Sequence, residues 1–460
     1  MGRQPGLVSQ AKLESLVADG EIDTVIVAFC DMQGRLTGKR VSARLFVEDV
    51  AEHGAECCNY LLAVDVDMNT VDGYAISSWE TGYGDMVMTP DFTTLRLLPW
   101  LPGTAMVMAD LSWTDGNPVT QAPRSILNRQ IDRLAERGLV PYVGTELEFM
   151  VFDIGYRQAW ADGYRGLPPA TDYNVDYAMH ASTRMEPLLR DIRLGMEGAG
   201  MYCEGVKGEC NLGQQEIAFR YDHARVTCDN HTIYKNGAKE IADQHDKSLT
   251  FMAKFDEREG NSCHIHISLR GMDEEGRPDV PVFADADDEF GMSPMFRSFI
   301  AGQLATLREL TLFYAPNINS YKRFALGSFA PTAIAWGMDN RTCALRVVGH
   351  GHGMRVECRA PGGDVNQYLA VSALIAGGLH GIEQELELPE ALEGNAYTSG
   401  ADSLPTTLAE AADLFDKSEI ARSAFGDDVV DHYLNNARIE VNAFNAAVTD
   451  WERVRGFERL

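Results

Sequence analysis

No run of apolar residues in this sequence approaches the ~18–20 needed to cross a bilayer. The opening stretch, MGRQPGLVSQAKLESLV, has neither an apolar signal core nor a cleavage box, which predicts a cytoplasmic protein. None of the nine cysteines (Cys30, Cys57, Cys58, Cys203, Cys210, Cys228, Cys263, Cys343, Cys358) forms a CxxC pair. That absence excludes a disulfide framework and a structural zinc knuckle, and reads as reduced, mostly packed thiols. Basic residues are few: 40 Lys and Arg against 68 Asp and Glu leave a net charge of −28. Such a surface repels phosphate backbones and anionic membranes, so neither nucleic acid nor membrane is expected as a partner. There is no GxxxxGK[ST] loop and no kinase glycine loop with HRD and DFG companions, so P-loop and protein-kinase chemistry are excluded.

What remains is a chain of ordinary globular composition, 45% hydrophobic and 23% charged. Its 460 residues exceed the roughly 250–300 that one core supports, which allows two or three domains. A helix over 8–19 and a strand over 22–30 (IDTVIVAFC) lead into the turn Asp31-Met32-Gln33-Gly34 and a second strand, RLTGKRVSA. A small α+β region then runs to residue 112. The Pro-, Gly-, Asn- and Thr-rich segment 113–123 reads as a linker to a second region over 124–460. There the pattern predicts a helix over 124–138, closing on Gly138, and a strand over 139–152. Further helices are expected near 226–246, 293–314, 364–384 and 405–423, and strands over 214–220, 263–269 and 354–360.

One device recurs along the second region. In TELEFMVF, Glu146 and Glu148 sit two apart within an apolar run, and strand geometry aims both at one face. CHIHIS repeats the device with His264, His266 and Ser268, VECRAP offers Glu357 and Arg359, and Glu204, Glu209 and Glu216 approach or enter another apolar strand. A wet-faced antiparallel sheet gives the same alternation. Here, however, the polar positions are nearly all Glu, His or Arg. Packed carboxylates repel one another unless cations neutralise them, and one or two imidazoles among several acids suit Mg²⁺ or Mn²⁺ better than zinc.

Arg323, Arg341, Arg346 and Arg359 fall in one stretch of an otherwise acidic chain. Guanidinium forks beside carboxylate-held divalent ions are what phosphoryl transfer from a nucleotide requires.

At these residues the sequence resembles the glutamine synthetase family, in its bacterial type I-like branch. TELEFMVF is similar to the family's G-x-E-x-E-F strand, ECNLGQQE to its E-x-x-x-G-Q-x-E block, and GNSCHIHISL to its G-x-x-x-H-x-H-x-S segment. SYKRFALGSFAP, DNRTCALR and VECRAPGGDVNQYLAVSALIAGGL resemble its arginine-bearing motifs and closing helix entry. Six blocks in order span nearly the whole chain.

The resemblance implies an α+β fold, with an N-terminal β-grasp domain and a C-terminal antiparallel half-barrel surrounded by helices. It implies a homo-oligomer, a dodecamer of two hexameric rings, with each active site shared with a neighbour's β-grasp domain. Glu148, Glu209 and Glu216 would hold one metal, and Glu146, His264 and Glu357 the other. Glu204, His266, Ser268, Arg341 and Arg346 would contact ATP, while Gly260, Arg323 and Arg359 would face glutamate and the transferring phosphoryl group. The implied chemistry is phosphorylation of the glutamate γ-carboxylate by ATP, followed by attack of an amine on the acyl phosphate.

The sequence also departs from the family. Where a loop reading G-Y-E-A-P supplies a glutamate that binds ammonium, this chain has Gly327-Ser328-Phe329-Ala330-Pro331. An aromatic ring cannot accept that proton, but its apolar wall suits the carbon chain of a larger primary amine. Glu259 replaces an asparagine before the flexible glycine, and His352 replaces a lysine in the run GHGHGM, whose His350 and His352 read as solvated or phosphate-facing. Tyr397 lies where an adenylylated tyrosine would fall, without the usual motif. Either Asp65 or Asp67, read as sharing one strand face, would be the acid entering the neighbouring site. Tyr164 or Tyr173 would complete the amine pocket.

The expected function is an ATP-dependent ligase joining L-glutamate to a small primary amine, with ethanolamine-like monoamines first and polyamines second. An ordinary glutamine synthetase and a non-catalytic ring-forming protein are the alternatives.

Overall fold

A computed structural model describes residues 6–460; residues 1–5 of the opening stretch read for a leader lie outside it. Two sheets organise the chain. The first contains β1 (Thr24–Cys30), β2 (Leu36–Ser42), β3 (Ala55–Cys58), β4 (Asp85–Pro90), β5 (Arg96–Leu97) and β6 (Thr104–Trp113). Its order is β2-β1-β6-β4-β3, with β5 also on β6. The apolar run of β1 is central and nearly wholly buried, as an unbroken hydrophobic strand requires. It pairs antiparallel with β2 and parallel with β6, in keeping with the expected β-grasp unit.

The second sheet has ten strands: β7 (Leu139–Phe152), β8 (Cys203–Gly208), β9 (Gln214–Phe219), β10 (Asp222–His223), β11 (Ser248–Thr250), β12 (Cys263–Met272), β13 (Pro278–Val280), β14 (Trp336–Met338), β15 (Leu345–Val348) and β16 (Arg355–Cys358). The main path is β14-β15-β16-β12-β7-β9-β8. Every pairing on that path is antiparallel except β14 with β15. The fold is α+β, and β8 and β14 remain as edges, as in the expected half-barrel.

Helices supply the other layer. Gln367–Glu383 is apolar on all sides and correspondingly buried, which marks it as the centre of the helical layer. Ala224–Gln244 packs beneath β7 and Pro294–Thr306 packs on the central helix. The expected helix over 405–423 is two helices, Leu408–Asp416 and Glu419–Phe425, because the Ser418 hydroxyl accepts from the Ala421 amide and caps a new start. The one expected over 293–314 likewise breaks into Pro294–Thr306 and Thr311–Tyr314. Trp113, assigned to the linker, closes β6, and the next helix opens on Pro123.

Buried polar contacts tie the first sheet to the helices. Arg124 is 3% exposed and donates to Asp91 at 2.6 Å, Asp110 at 2.5 Å and both oxygens of Asp229 at 3.0 Å. Asn366, which caps the central helix, also donates to the carbonyls of Asp31 and Met32 in the first hairpin. Asp65 and Asp67 do not share a strand face. They sit in a turn between the bridged residues Val64 and Thr70, where Asp65 accepts from the Asn69 amide at 2.8 Å.

Candidate active site

The cross-strand register assembles the predicted acids. Glu146 lies opposite His264, Glu148 opposite Glu216, and Glu216 in turn opposite Lys207. On the other flank His266 lies opposite Glu357, which lies opposite Arg346. Because strand side chains alternate, these pairs make one charged row on one face of the sheet. Their opposite-face neighbours, Leu147, Ile217, Ile265 and Val356, are buried in the core.

Two clusters emerge within this row, each with its ligand atoms mutually within 4.8 Å. Glu148, Glu209 and Glu216 form the first. The Glu148 carboxylate accepts from the Ser262 amide at 2.7 Å and from Gln214 at 3.0 Å, which fixes its orientation. Burial pushes Glu216 up to about 8, with Lys207 offsetting only part of the effect. Lys207 contacts Glu209 and lies 3.6 Å from Glu216.

The second cluster is Glu146, His266 and Glu357, with the His264 imidazole beside it. His266 Nε2 is 2.9 Å from Glu146, and His264 Nδ1 lies 3.3 Å from Glu146 and 3.4 Å from Glu357. The resemblance assigned only His264 here and gave His266 to ATP; the structure brings both. Glu357 is fully buried, and burial alone would raise its pKa, but His264, Arg359 and His266 outweigh that and hold it at about 2. Burial also opposes ionisation of Glu146, and hydrogen bonds with His264 and His266 overcome it, so it stays well below the carboxylate range. Burial lowers His264 below the usual imidazole value.

These clusters fit divalent cations. A buried carboxylate that resists ionisation marks a place short of positive charge, and the Nε2 of His264 is buried with no hydrogen-bond partner among the described residues.

The row opens into two cavities of about 290 Å³ that share Glu146. The first is lined by both acid clusters, Gly260, Phe329, Arg341, Arg346 and Arg359. The second is lined by Glu204, His266, Ser268, His352 and Arg355. The expected ATP contacts are therefore divided: Glu204, His266 and Ser268 line one cavity, Arg341 and Arg346 the other. His350 is exposed, and Arg270 donates to the carbonyl of His352.

Arg323 stands apart. It is 2% exposed, does not line either cavity, and donates to the carbonyls of Ala360 and Arg359 and to the Ser262 hydroxyl at 2.9–3.1 Å. Its guanidinium braces the wall behind the site. Gly260 must be glycine, since a Cβ there would lie 2.1 Å from the carbonyl oxygen of Ala253. The segment it belongs to is held over the site by Asn211, which donates to Asp256 and the Glu259 carbonyl, and by Gln214, which donates to the Gly260 carbonyl.

Phe329 is 58% exposed and lines the first cavity at a left-handed φ of 57°. Its carbonyl accepts from Arg359, and the next carbonyl, that of Ala330, accepts from the Tyr397 hydroxyl at 2.9 Å. Neither Tyr164 nor Tyr173 reaches either cavity, and neither do Asp65 and Asp67. Lys207, Asp176, Tyr177 and Arg355 also line the cavities and were not expected from the sequence. Lys207 carried a signal, two residues before Glu209 in a strand, and Arg355 stands two before Glu357; the loop residues Asp176 and Tyr177 carried none.

A charged sheet face with two acid clusters, arginines on its rim and adjoining cavities is an arrangement able to hold cations and anionic substrates, as an enzyme's active site does. Residues 120–455 match the family described as glutamine synthetase, catalytic domain, and the chain belongs to that family. The chain is 63% identical to the γ-glutamylethanolamide synthetase GlnA4 of Streptomyces coelicolor, over 98% of this chain and 96% of that protein. It is 35% identical to the glutamate–isopropylamine ligase of a Pseudomonas species, over 96% and 97% of the two chains. It is 32% identical to the γ-glutamylputrescine synthetase PuuA of Escherichia coli, over 93% and 90%. Among solved structures, GmaS in its ADP complex superposes with a TM-score of 0.84 at 28% identity, covering 97% of this chain and 99% of that one.

Proposed function

We propose that the protein is an ATP-dependent ligase that joins the γ-carboxylate of L-glutamate to an organic primary amine, ethanolamine-like monoamines first and polyamines second. The observation that carries this reading is Phe329, an aromatic wall on the cavity where ammonium capture would call for a carboxylate. Relatives named for ethanolamine, isopropylamine and putrescine support the same reading.

The reaction moves the γ-phosphoryl group of ATP to the glutamate carboxylate, leaving ADP. The amine nitrogen then attacks the acyl carbon, phosphate departs and the nitrogen loses a proton to give the amide. Two divalent cations, Mg²⁺ or Mn²⁺, held by Glu148, Glu209 and Glu216 and by Glu146, His264 and Glu357, would supply neutralisation of the phosphate charge. Glu204, His266 and Ser268 receive the nucleotide in the second cavity. Arg341, Arg346 and Arg359 approach from the first cavity and stabilise the charge that moves. Gly260 and Phe329 border the glutamate and amine, while Arg323 keeps Arg359 and Ser262 in position.

The same reading includes a cytoplasmic dodecamer of two hexameric rings, divided at residues 113–123, in which Asp65 or Asp67 completes a neighbouring site. Phosphate release from ATP, Mg²⁺ and glutamate, compared across ethanolamine, a longer alkylamine, putrescine and ammonium, tests it. Turnover only with ammonium returns an ordinary glutamine synthetase. None with any amine returns a non-catalytic ring protein.

A further inference from the structure

The first cavity contains seven carboxylates, and their partners sort them. Glu148, Glu209 and Glu216 form one cluster, and Glu146 and Glu357 belong to the other. Two acids remain outside both: Glu259, beside Gly260 in the segment that covers the site, and the exposed Asp176, whose carboxylate groups with Glu209 and Cys210, their ligand atoms within 4.8 Å of one another. The proposed reaction brings two ammonium groups to this cavity, the α-ammonium of glutamate and the protonated amine. An acidic partner is needed for each, because an ammonium leaving water keeps its charge only beside a carboxylate or comparable acceptors.

Asp176 is built into place. Its backbone amide donates to the Asn174 side chain at 2.8 Å, and the Tyr177 amide donates to the Gly208 carbonyl at 3.3 Å, so the loop lies against the end of β8 next to Glu209. Gly208 permits this approach, since a Cβ there would lie 2.4 Å from the Val175 carbonyl oxygen. The Cys210 thiol donates to Asp176 at 3.4 Å, and no cationic side chain pairs with Asp176 among the described residues. The rings of Tyr177 and Phe329 line the same cavity.

The geometry points to Asp176 as the specificity-determining residue that receives the ammonium form of the organic amine, with the amine's carbon chain against the Tyr177 and Phe329 rings. Glu259 is left to the α-ammonium of glutamate. This inference rests on the ligase reading above. It places the acid lost at position 329 on another loop of the same chain, so that the apolar wall and the charge anchor come from different elements.

The test is steady-state kinetics of Asp176→Asn and Glu259→Gln with ethanolamine, and with hydroxylamine, a nucleophile uncharged at neutral pH. Loss of a charged hydrogen bond predicts a KM for ethanolamine raised about 10- to 100-fold in Asp176→Asn. Its KM values for glutamate and ATP, its hydroxylamine turnover and its thermal midpoint are expected to stay near wild type. Glu259→Gln is expected to raise the KM for glutamate instead. An unchanged ethanolamine KM overturns the assignment. Equal loss with ethanolamine and hydroxylamine, or a changed metal requirement, also overturns it, by making Asp176 structural or a metal ligand. Wild-type turnover is read first: its absence with every organic amine defeats the ligase reading, whereas its presence with an unaffected Asp176→Asn defeats this inference alone.

Discussion

Arg359 donates through Nη2 to the carbonyl oxygen of Phe329 at 3.3 Å, while its Nη1 donates to Glu357 at 2.6 Å. One buried guanidinium thus ties the loop that walls the amine side to an acid of the cation-holding cluster. A change in that loop is transmitted to the phosphoryl-transfer side through a charged group with little freedom to move, which makes amine choice and catalytic geometry mutually dependent.

Phe329→Glu restores a carboxylate to the wall. The ratio of kcat/KM for ammonium to that for ethanolamine is expected to rise at least about tenfold, a change of about 1.4 kcal/mol in relative transition-state binding. An unchanged ratio would mean that the ring does not border the amine. Phe329→Leu, which keeps the apolar wall, is expected to leave the ratio near wild type.

Tyr397→Phe removes only the hydroxyl that holds the Ala330 carbonyl. Loss of about 1 kcal/mol from that bond loosens the adjoining Phe329 loop, so the KM for the organic amine is expected to rise about fivefold. The KM for ATP is expected to hold. Equal changes in both constants would assign the hydroxyl to general stability.

Glu216→Gln keeps the shape of the side chain and removes its charge. With Glu216 ordinarily pushed up to about 8 by burial, a cation at this cluster must displace its proton. The variant is expected to lose more than about 100-fold in activity and to bind Mn²⁺ with lower stoichiometry or affinity in calorimetry. Wild-type titration is expected to release a proton on metal binding at pH 7, and no such release in the variant.

Acid weakens the junction between the first hairpin region and the C-terminal helices. His432 is buried beside Met32, with its ring 4.6 Å from Tyr74, and burial lowers it to about 4. The unfolded chain binds a proton near pH 6.5 that the folded chain refuses. Stability is therefore full above pH 6.5 and falls as pH drops toward 4. Between pH 7.5 and 5 this histidine contributes a loss of about 2 kcal/mol. Urea unfolding at the two pH values is expected to give a smaller loss in His432→Leu than in wild type.

The sheet was the most legible part of the chain because its signal has a period of two. Glu146, Glu148, His264 and His266 alternate with buried apolar residues, and each acid proposed to hold a cation except Glu209 lies within one of the expected strands. Asp65 and Asp67 alternate too, but with only Val66 between them and Asn69 following, the Asp65 side chain closes a local turn instead. Arg323 looked like its neighbours in a basic stretch. Only three-dimensional packing reveals that carbonyls of Arg359 and Ala360 take up its donors. Asp176 and Tyr177 lie in an irregular loop, where no periodicity exists to assign a face, so their arrival beside Glu209 required the packing of Val175 on Gly208.

The most direct measurement is product analysis from a single reaction containing ATP, Mg²⁺, glutamate and equal concentrations of ammonium and ethanolamine, resolved by mass spectrometry. γ-Glutamylethanolamide is expected to dominate, with ADP formed in equal amount. Glutamine as the main product would contradict the proposed function.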